Sequence, residues 1–216
     1  MSVSNVVAQD AQNIGLSVTE VIYNPLNIGE IERASKLFTP KINRPYIVFV
    51  GRIVTYKGIH ELLQAFAALS VDIDLVYVGD GSAIKTLRIA VHTLGLQNRV
   101  HFTGLLNNPY PWIRHAKLLV LPSITEAMGY VAVEACALGC RIVVSGYPAA
   151  HEFFVEDVIV SLSPVGNYIE RLAEKISAGL TGKLPPGLKP DVLEKMDPRC
   201  VAEKYLALVD KRIDNI

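Results

Sequence analysis

Residues 117–145 read KLLVLPSITEAMGYVAVEACALGCRIVVS. Lys117–Leu121 and Arg141–Ser145 are short apolar runs, continuous rather than alternating, as strands covered on both faces require. Between them a polar loop leads to Gly129 and a helix-length run, Gly129–Leu138, closed by Gly139. A strand, a helix and a strand in that order predict a parallel βαβ unit with a right-handed crossover.

The same alternation extends along most of the chain. Further strands are expected at Tyr46–Val50 (YIVFV), Asp74–Val78 (DLVYV), Arg99–Thr103 (RVHFT) and Val158–Leu162 (VIVSL). Helices are expected at Gly58–Leu69, Ser82–Leu94, Pro109–His115, Ala149–Phe154 and Asn167–Ala178. In the first of these Leu62, Leu63, Phe66 and Leu69 fall at helical spacing. Gly51, Gly79, Gly95, Gly104 and Gly139 follow strands or helices and read as turns and caps. The fold class is therefore α/β: a Rossmann-like, doubly wound parallel sheet of about six strands. Ligands of such sheets bind beyond the C-terminal strand ends.

Two regions fall outside the alternation. Residues 1–45 carry a strand-like run, Val18–Tyr23, that meets a turn at Asn24-Pro25. Gly182–Pro198 is rich in Pro, Gly and Lys and reads as a linker. After it Pro198–Ile213 has the pattern of an amphipathic helix, with Pro in its first turn and Asp197 as N-cap. The division is into 1–40 (end of a preceding domain and hinge), 41–181 (ligand-binding domain) and 182–216 (linker and last helix).

Composition narrows the function classes. The chain has 216 residues, 50% hydrophobic and 19% charged, ample for a core and contrary to intrinsic disorder. Lys plus Arg and Asp plus Glu both number 21, so no net positive field favours nucleic acid or anionic lipid. Cys136, Cys140 and Cys200 are too few for a disulfide framework and lack zinc-site spacing. The first residues, MSVSNVVAQDAQ, do not resemble a signal peptide, and no apolar run of 18 residues occurs. No membrane span, and a cytoplasmic location, are expected.

Three segments could do chemistry. In FVGRIVTYKGIHELLQAF, Gly51-Arg52 follows a strand and Lys57-Gly58 opens the next helix. Two cations at a strand's C-terminal end suit a phosphate or diphosphate, Arg52 in bidentate fashion and Lys57 as a point charge. The competing reading is two solvated surface cations. In VYVGDGS, Gly79-Asp80-Gly81-Ser82 is a strand-to-helix turn without dinucleotide spacing, and Asp80 or Ser82 reads as a helix cap. In the opening stretch Glu126 lies in the loop and Glu134 on the helix, eight residues on. First-turn amides at Gly129, Tyr130 and Val131 can hold an anion. Carboxylates beside it can accept sugar or ribose hydroxyls. Glu134 is the polar outlier among Val131, Val133, Ala135 and Leu138, although a helix-dipole role would also account for it.

The order GRxxxxKG, VGDGS, RVHFTG and PSxxEAMGYVAVEACALGCRIVVS resembles the C-terminal half of a GT-B glycosyltransferase. It is most similar to the retaining glycosyltransferase family four (glycosyl transferases group one), with Glu126 and Glu134 in its E-x(7)-E element. The likeness runs from about Val18 to Val209, with VIYNPLN placed as the interdomain hinge. What it implies is as follows. Arg52, Lys57 and Glu126 are the catalytic set: the two cations on the donor diphosphate, the acid near the transferred sugar. Glu134 takes the ribose hydroxyls, and amides around Gly129, Tyr130 and Val131 hold the distal phosphate. Gly51 and Gly79 shape the turns, and Gly104 and Leu105 lie near the base. The sequence departs from the family at EAMGY, where Gly-Phe-Gly is frequent.

The resemblance implies sugar transfer from a nucleotide diphosphate sugar with retention, in polysaccharide or lipopolysaccharide synthesis, with no metal and no cofactor. Asp72-Ile73-Asp74, though a metal motif in another transferase fold, is expected to be a solvated turn at the opposite sheet edge. The five histidines, His60, His92, His101, His115 and His151, show no metal spacing. His151 and Glu152 follow a strand and could approach the donor sugar. Cys136 and Cys140 read as an i, i+4 pair on one helix, in core packing rather than redox chemistry. The acceptor-binding half is expected on a partner domain or subunit. The alternative is a non-catalytic nucleotide-sugar-binding or assembly module. An NAD-dependent oxidoreductase is disfavoured by the missing GxGxxG and ribose-binding acid.

Overall fold

Side chains alternate across each strand, and here both faces of the sheet are covered. Along β1 (Tyr46–Val50), Tyr46 and Val48 enter one apolar core while Ile47 and Phe49 enter the other. The computed structural model describes residues 1–163 and 167–213, with side chains as far as Val209. The remaining strands are β2 (Asp74–Val78), β3 (Val100–Gly104), β4 (Leu118–Leu121), β5 (Ile142–Ser145) and β6 (Ile159–Val160). They form one parallel sheet in the order β3-β2-β1-β4-β5-β6. Chain direction across the sheet reverses between β1 and β4. A crevice opens at such a switch point, between the loops that leave those two strands.

The helices are α1 (Asn5–Asn13), α2 (Ile28–Ala34), α3 (Ile59–Ala67), α4 (Ile84–Thr93), α5 (Tyr110–His115), α6 (Tyr130–Ala137), α7 (Ala150–Phe153), α8 (Tyr168–Leu180), α9 (Val192–Lys195) and α10 (Pro198–Ile213). On one face α3, α4 and α8 pack through Leu62, Phe66, Leu87, Leu172 and Ile176. On the other, α2, α5, α6 and α7 pack through Ile31, Ile113, Ala132, Val133 and Phe153. Leu62 and Phe66 are fully buried, each stabilising the fold by roughly 1.5–3 kcal/mol.

Four local readings of the sequence are corrected. Val18–Tyr23 makes no strand; Val21 forms an isolated bridge with Ser2. Gly182–Pro198 is folded onto the body rather than left as open linker. Phe154 bridges Leu188, α9 forms within it, and Gly187 lies so close to Ile142 that a Cβ would collide with that side chain. Helix α4 starts at Ile84, and neither Asp80 nor Ser82 caps it. Instead the Asp80 carboxylate accepts from the Gly81 amide at 2.7 Å. Helix α6 ends at Ala137, so Cys140 lies beyond it. At α10, by contrast, Asp197 Oδ1 accepts from the Arg199 amide at 2.8 Å.

Candidate active site

Backbone bonds tie the strand exits to one another. The Gly51 amide donates to the Val78 carbonyl at 3.0 Å, and the Gly79 amide to the Gly104 carbonyl at 2.9 Å. The Ile53 amide donates to the Asp80 carbonyl at 2.9 Å. Leu105, next along, is 79% exposed at the rim. Across the switch point the Ile124 amide donates to the Tyr56 carbonyl at 2.9 Å. Gly58 sits at φ +68°, where a Cβ would strike the Pro122 carbonyl, so the loop after β1 rests directly on the loop after β4.

This contact delivers the charged side chains to one place. A single turn, Thr55–Lys57, aims Lys57 at Glu126, with Nζ 2.6 Å from Oε1. Ser123 Oγ donates to the same oxygen at 2.8 Å. The two side chains are only 14% and 15% exposed. Arg52 is exposed and donates through Nη2 to the Tyr56 hydroxyl. Its Cζ lies 5.7 Å, and Lys57 Nζ 5.6 Å, from the centre of the Tyr56 ring, so both cations lie against one aromatic ring.

Three residues past Glu126, Gly129 opens α6 at φ +78°. The first amides of a helix lack the usual intrahelical acceptors, which suits the start of α6 to an anion; the Ala132 amide already donates to the Gly129 carbonyl at 2.9 Å. The turn is braced from below by buried Tyr147, whose hydroxyl donates to the Met128 carbonyl at 3.2 Å. Burial, with the Glu126 charge adding, pushes the Tyr147 phenol above its ordinary range, so it stays a donor. Further along α6, Glu134 is 9% exposed and accepts the Tyr110 hydroxyl on Oε1 at 2.9 Å. Burial pushes the Glu134 carboxyl up, and the Tyr110 bond partly offsets this.

Arg52, Lys57 and Glu126 thus form one contact cluster, and Gly129, Tyr130, Val131 and Glu134 share the helix that starts beside it. Tyr56, Ser123, Tyr110 and Tyr147 were not legible as site residues. Tyr110 and Tyr147 act through partners distant in sequence, Glu134 and Met128, which spacing does not reveal; Tyr56 and Ser123 lie close to Arg52 and Glu126 in sequence but carry no charge that would mark them.

Other residues take different places. Asp74 is no solvated turn: it opens β2, is 4% exposed, and bonds Arg44 Nη1 at 3.3 Å and His101 Nε2 at 2.8 Å. These residues border a cleft of about 620 Å³ along edge strand β3, with Trp112 and Lys41, apart from the cluster above. Glu152 turns from the crevice to hold the N-terminal segment, accepting from the Asn5 amide at 2.9 Å and the Tyr23 hydroxyl at 2.9 Å. His151 pairs with Glu156 at 2.8 Å.

Residues 31–188 match the family described as Glycosyl transferases group 1. The chain is 28% identical over 159 residues to the N-acetylgalactosamine-N,N'-diacetylbacillosaminyl-diphospho-undecaprenol 4-alpha-N-acetylgalactosaminyltransferase of Campylobacter jejuni, covering 72% of this chain and 43% of that one. It is 34% identical over 113 residues to the lipopolysaccharide core biosynthesis glycosyltransferase LpsE of Rhizobium meliloti, covering 52% and 32%. The fold superposes on Anabaena HepE in complex with UDP and glucose with a TM-score of 0.80 at 20% identity, covering 97% of this chain and 62% of that one. The chain therefore spans less than half the length of these curated relatives. Its fold, one parallel six-stranded sheet flanked by helices, matches that of GT-B glycosyltransferase structures. Among the described residues, no helix is long and apolar enough to cross a membrane.

Proposed function

The chain belongs to the glycosyl transferases group 1 family, and from that premise we propose that it binds the donor, a nucleotide diphosphate sugar, for retaining glycosyl transfer. The observation that carries this reading is the convergence of Arg52, Lys57 and Glu126 beside the α6 N-terminus, at the sheet's switch point. A diphosphate brings negative charge that two cations and a row of amides can hold. The Lys57–Glu126 pair must open to admit it. Lys57 then turns to the phosphate, and Glu126, still held by Ser123, is released toward the sugar hydroxyls. Glu134 receives the ribose.

As the bond from the anomeric carbon to the diphosphate breaks, negative charge grows on the leaving group and positive charge on the sugar. With the donor bound and Lys57 already turned to the phosphate, Arg52, Lys57 and the α6 amides stabilise the first without further reorganisation. Charge-assisted hydrogen bonds are worth about 1.5–3 kcal/mol each. Two of them contribute about 3–6 kcal/mol, on the order of 10²–10⁴ in rate. In this reading the cations carry the charge without a metal ion, and the acceptor sits on a partner domain or subunit. Polysaccharide or lipopolysaccharide synthesis, in the cytoplasm, is the process we assign.

Calorimetry with UDP-, GDP- and ADP-sugars tests the reading. One donor should bind with micromolar to millimolar affinity, about −8 to −4 kcal/mol. Glu134→Gln and Arg52→Ala should each lose most of that binding. Unchanged affinity in both variants would refute the site.

A further inference from the structure

Glu134 is engaged before any ligand arrives. The Tyr110 hydroxyl donates to Oε1 at 2.9 Å, while among the described residues nothing donates to Oε2. Tyr110 is itself fixed in place. Its amide donates to Asn108 Oδ1 at 3.2 Å, and Asn108 Nδ2, just ahead of α5, donates to the carbonyl of Ala34, the last residue of α2, at 2.9 Å. The phenol therefore reaches Glu134 from a junction tied to a second helix.

We propose that Tyr110 is a positioning residue of the nucleotide pocket, and that by holding Glu134 in one orientation it makes the pocket select ribonucleotides over deoxyribonucleotides. This rests on the donor-site reading above and adds a selectivity to it. The terminal torsion of a glutamate is soft, so a free carboxylate would rotate to satisfy itself on whichever hydroxyl remains. With Oε1 held by Tyr110, that rotation is blocked. Oε2 and the second lone pair of Oε1 then match two neighbouring hydroxyls, and a sugar lacking one leaves a buried charge short of a donor.

The surroundings make Glu134 sensitive to this one bond. Strands β4 and β5 beneath α6 present only apolar side chains and Ser145. The other ionisable groups in reach are Tyr130 on α6 itself and Glu30 on α2, which acts on Tyr110. Burial raises the Glu134 carboxyl, and Tyr110 alone is seen to lower it.

The test uses the whole 216-residue chain with UDP, GDP and ADP, taking the nucleotide that binds most tightly and its deoxyribo counterpart. Tyr110→Phe keeps the ring and removes the hydroxyl. It should weaken ribonucleotide binding about tenfold at pH 7. It should also move the acid limb of binding to higher pH, because the carboxylate protonates sooner, and narrow the ribo-to-deoxyribo preference at least threefold. If Tyr110 only fills space, Tyr110→Phe will match wild type in pH profile and preference, and the inference fails. Should that happen while Glu134→Gln abolishes binding, the donor-site reading stands alone. Wild-type failure to bind any of the three nucleotides overturns both.

Discussion

Gly129→Ala tests the α6 entry most directly. At φ +78° the substitution places an alanine in the left-handed region, which costs about 1–2 kcal/mol. The new Cβ would collide with Tyr147 Oη and lie 3.0 Å from its Cζ and 3.2 Å from Leu121 Cδ2. Tyr147 is fully buried and bonded to the Met128 carbonyl, so it has little room to withdraw. Overpacking of this kind costs about 1–3 kcal/mol. The sum is about 2–5 kcal/mol, measured as a lower urea midpoint at unchanged slope. On a chain this size each kcal/mol lowers Tm by roughly 2–4 °C. A second variant separates the two contributions. Tyr147→Phe removes the colliding oxygen at the expense of its hydrogen bond, about 1 kcal/mol. In the double variant the left-handed strain remains and the main collision is gone. The double should therefore be at least about 1 kcal/mol more stable than the sum of the singles. A Gly129→Ala chain within about 0.5 kcal/mol of wild type, or strictly additive variants, would refute the account.

Glu134→Gln should be more stable than wild type at pH 7, although under the proposed function it should lose donor binding. The fold raises the Glu134 carboxyl, so the protonated form stabilises it below about 4.5, and that contribution is lost as pH rises from 4.5 through the raised value. The urea-midpoint difference between the two proteins should therefore vanish at acid pH and open above it. Lys57→Met should destabilise by about 1–3 kcal/mol, because it leaves a largely buried carboxylate without its cation; denaturation at several salt concentrations checks this. Burial raises the thiols of Cys136 and Cys140 to about 12. Iodoacetamide at pH 8 should spare both in the folded chain and modify both in urea, as peptide mass spectrometry would show.

The sheet was legible because its strands are continuous β-branched runs set between helix-length segments. The strand expected at Arg99–Thr103 lies at Val100–Gly104, a shift of one residue. Where reading failed, the missing quantity was a partner. Val18–Tyr23 has strand composition, but among the described residues Ser2 is the only bridge partner it has, and the Pro-rich tail looked open because its contacts are made to Phe154 and Ile142, far away in sequence. The candidate site divides in the same way. Arg52, Lys57, Glu126 and Glu134 stand out by charge at strand ends and helix starts. The direct pairing of Lys57 with Glu126 does not follow from those positions, since it depends on Gly58 resting on Pro122. Asp74 does not read as buried because its side-chain partners, Arg44 and His101, come from other segments.

Tyr130 is fastened at both ends. Its backbone lies in the first turn of α6, while its hydroxyl grips the carbonyl of Pro25, on the stretch that joins α1 to α2. Tension applied to the chain upstream of Pro25 has a short mechanical path to the amides beside Gly129. Any swing of that upstream segment would tug on the turn we propose as the phosphate cradle, so its proposed grip on a leaving group and the pose of whatever is attached there should tighten or slacken together.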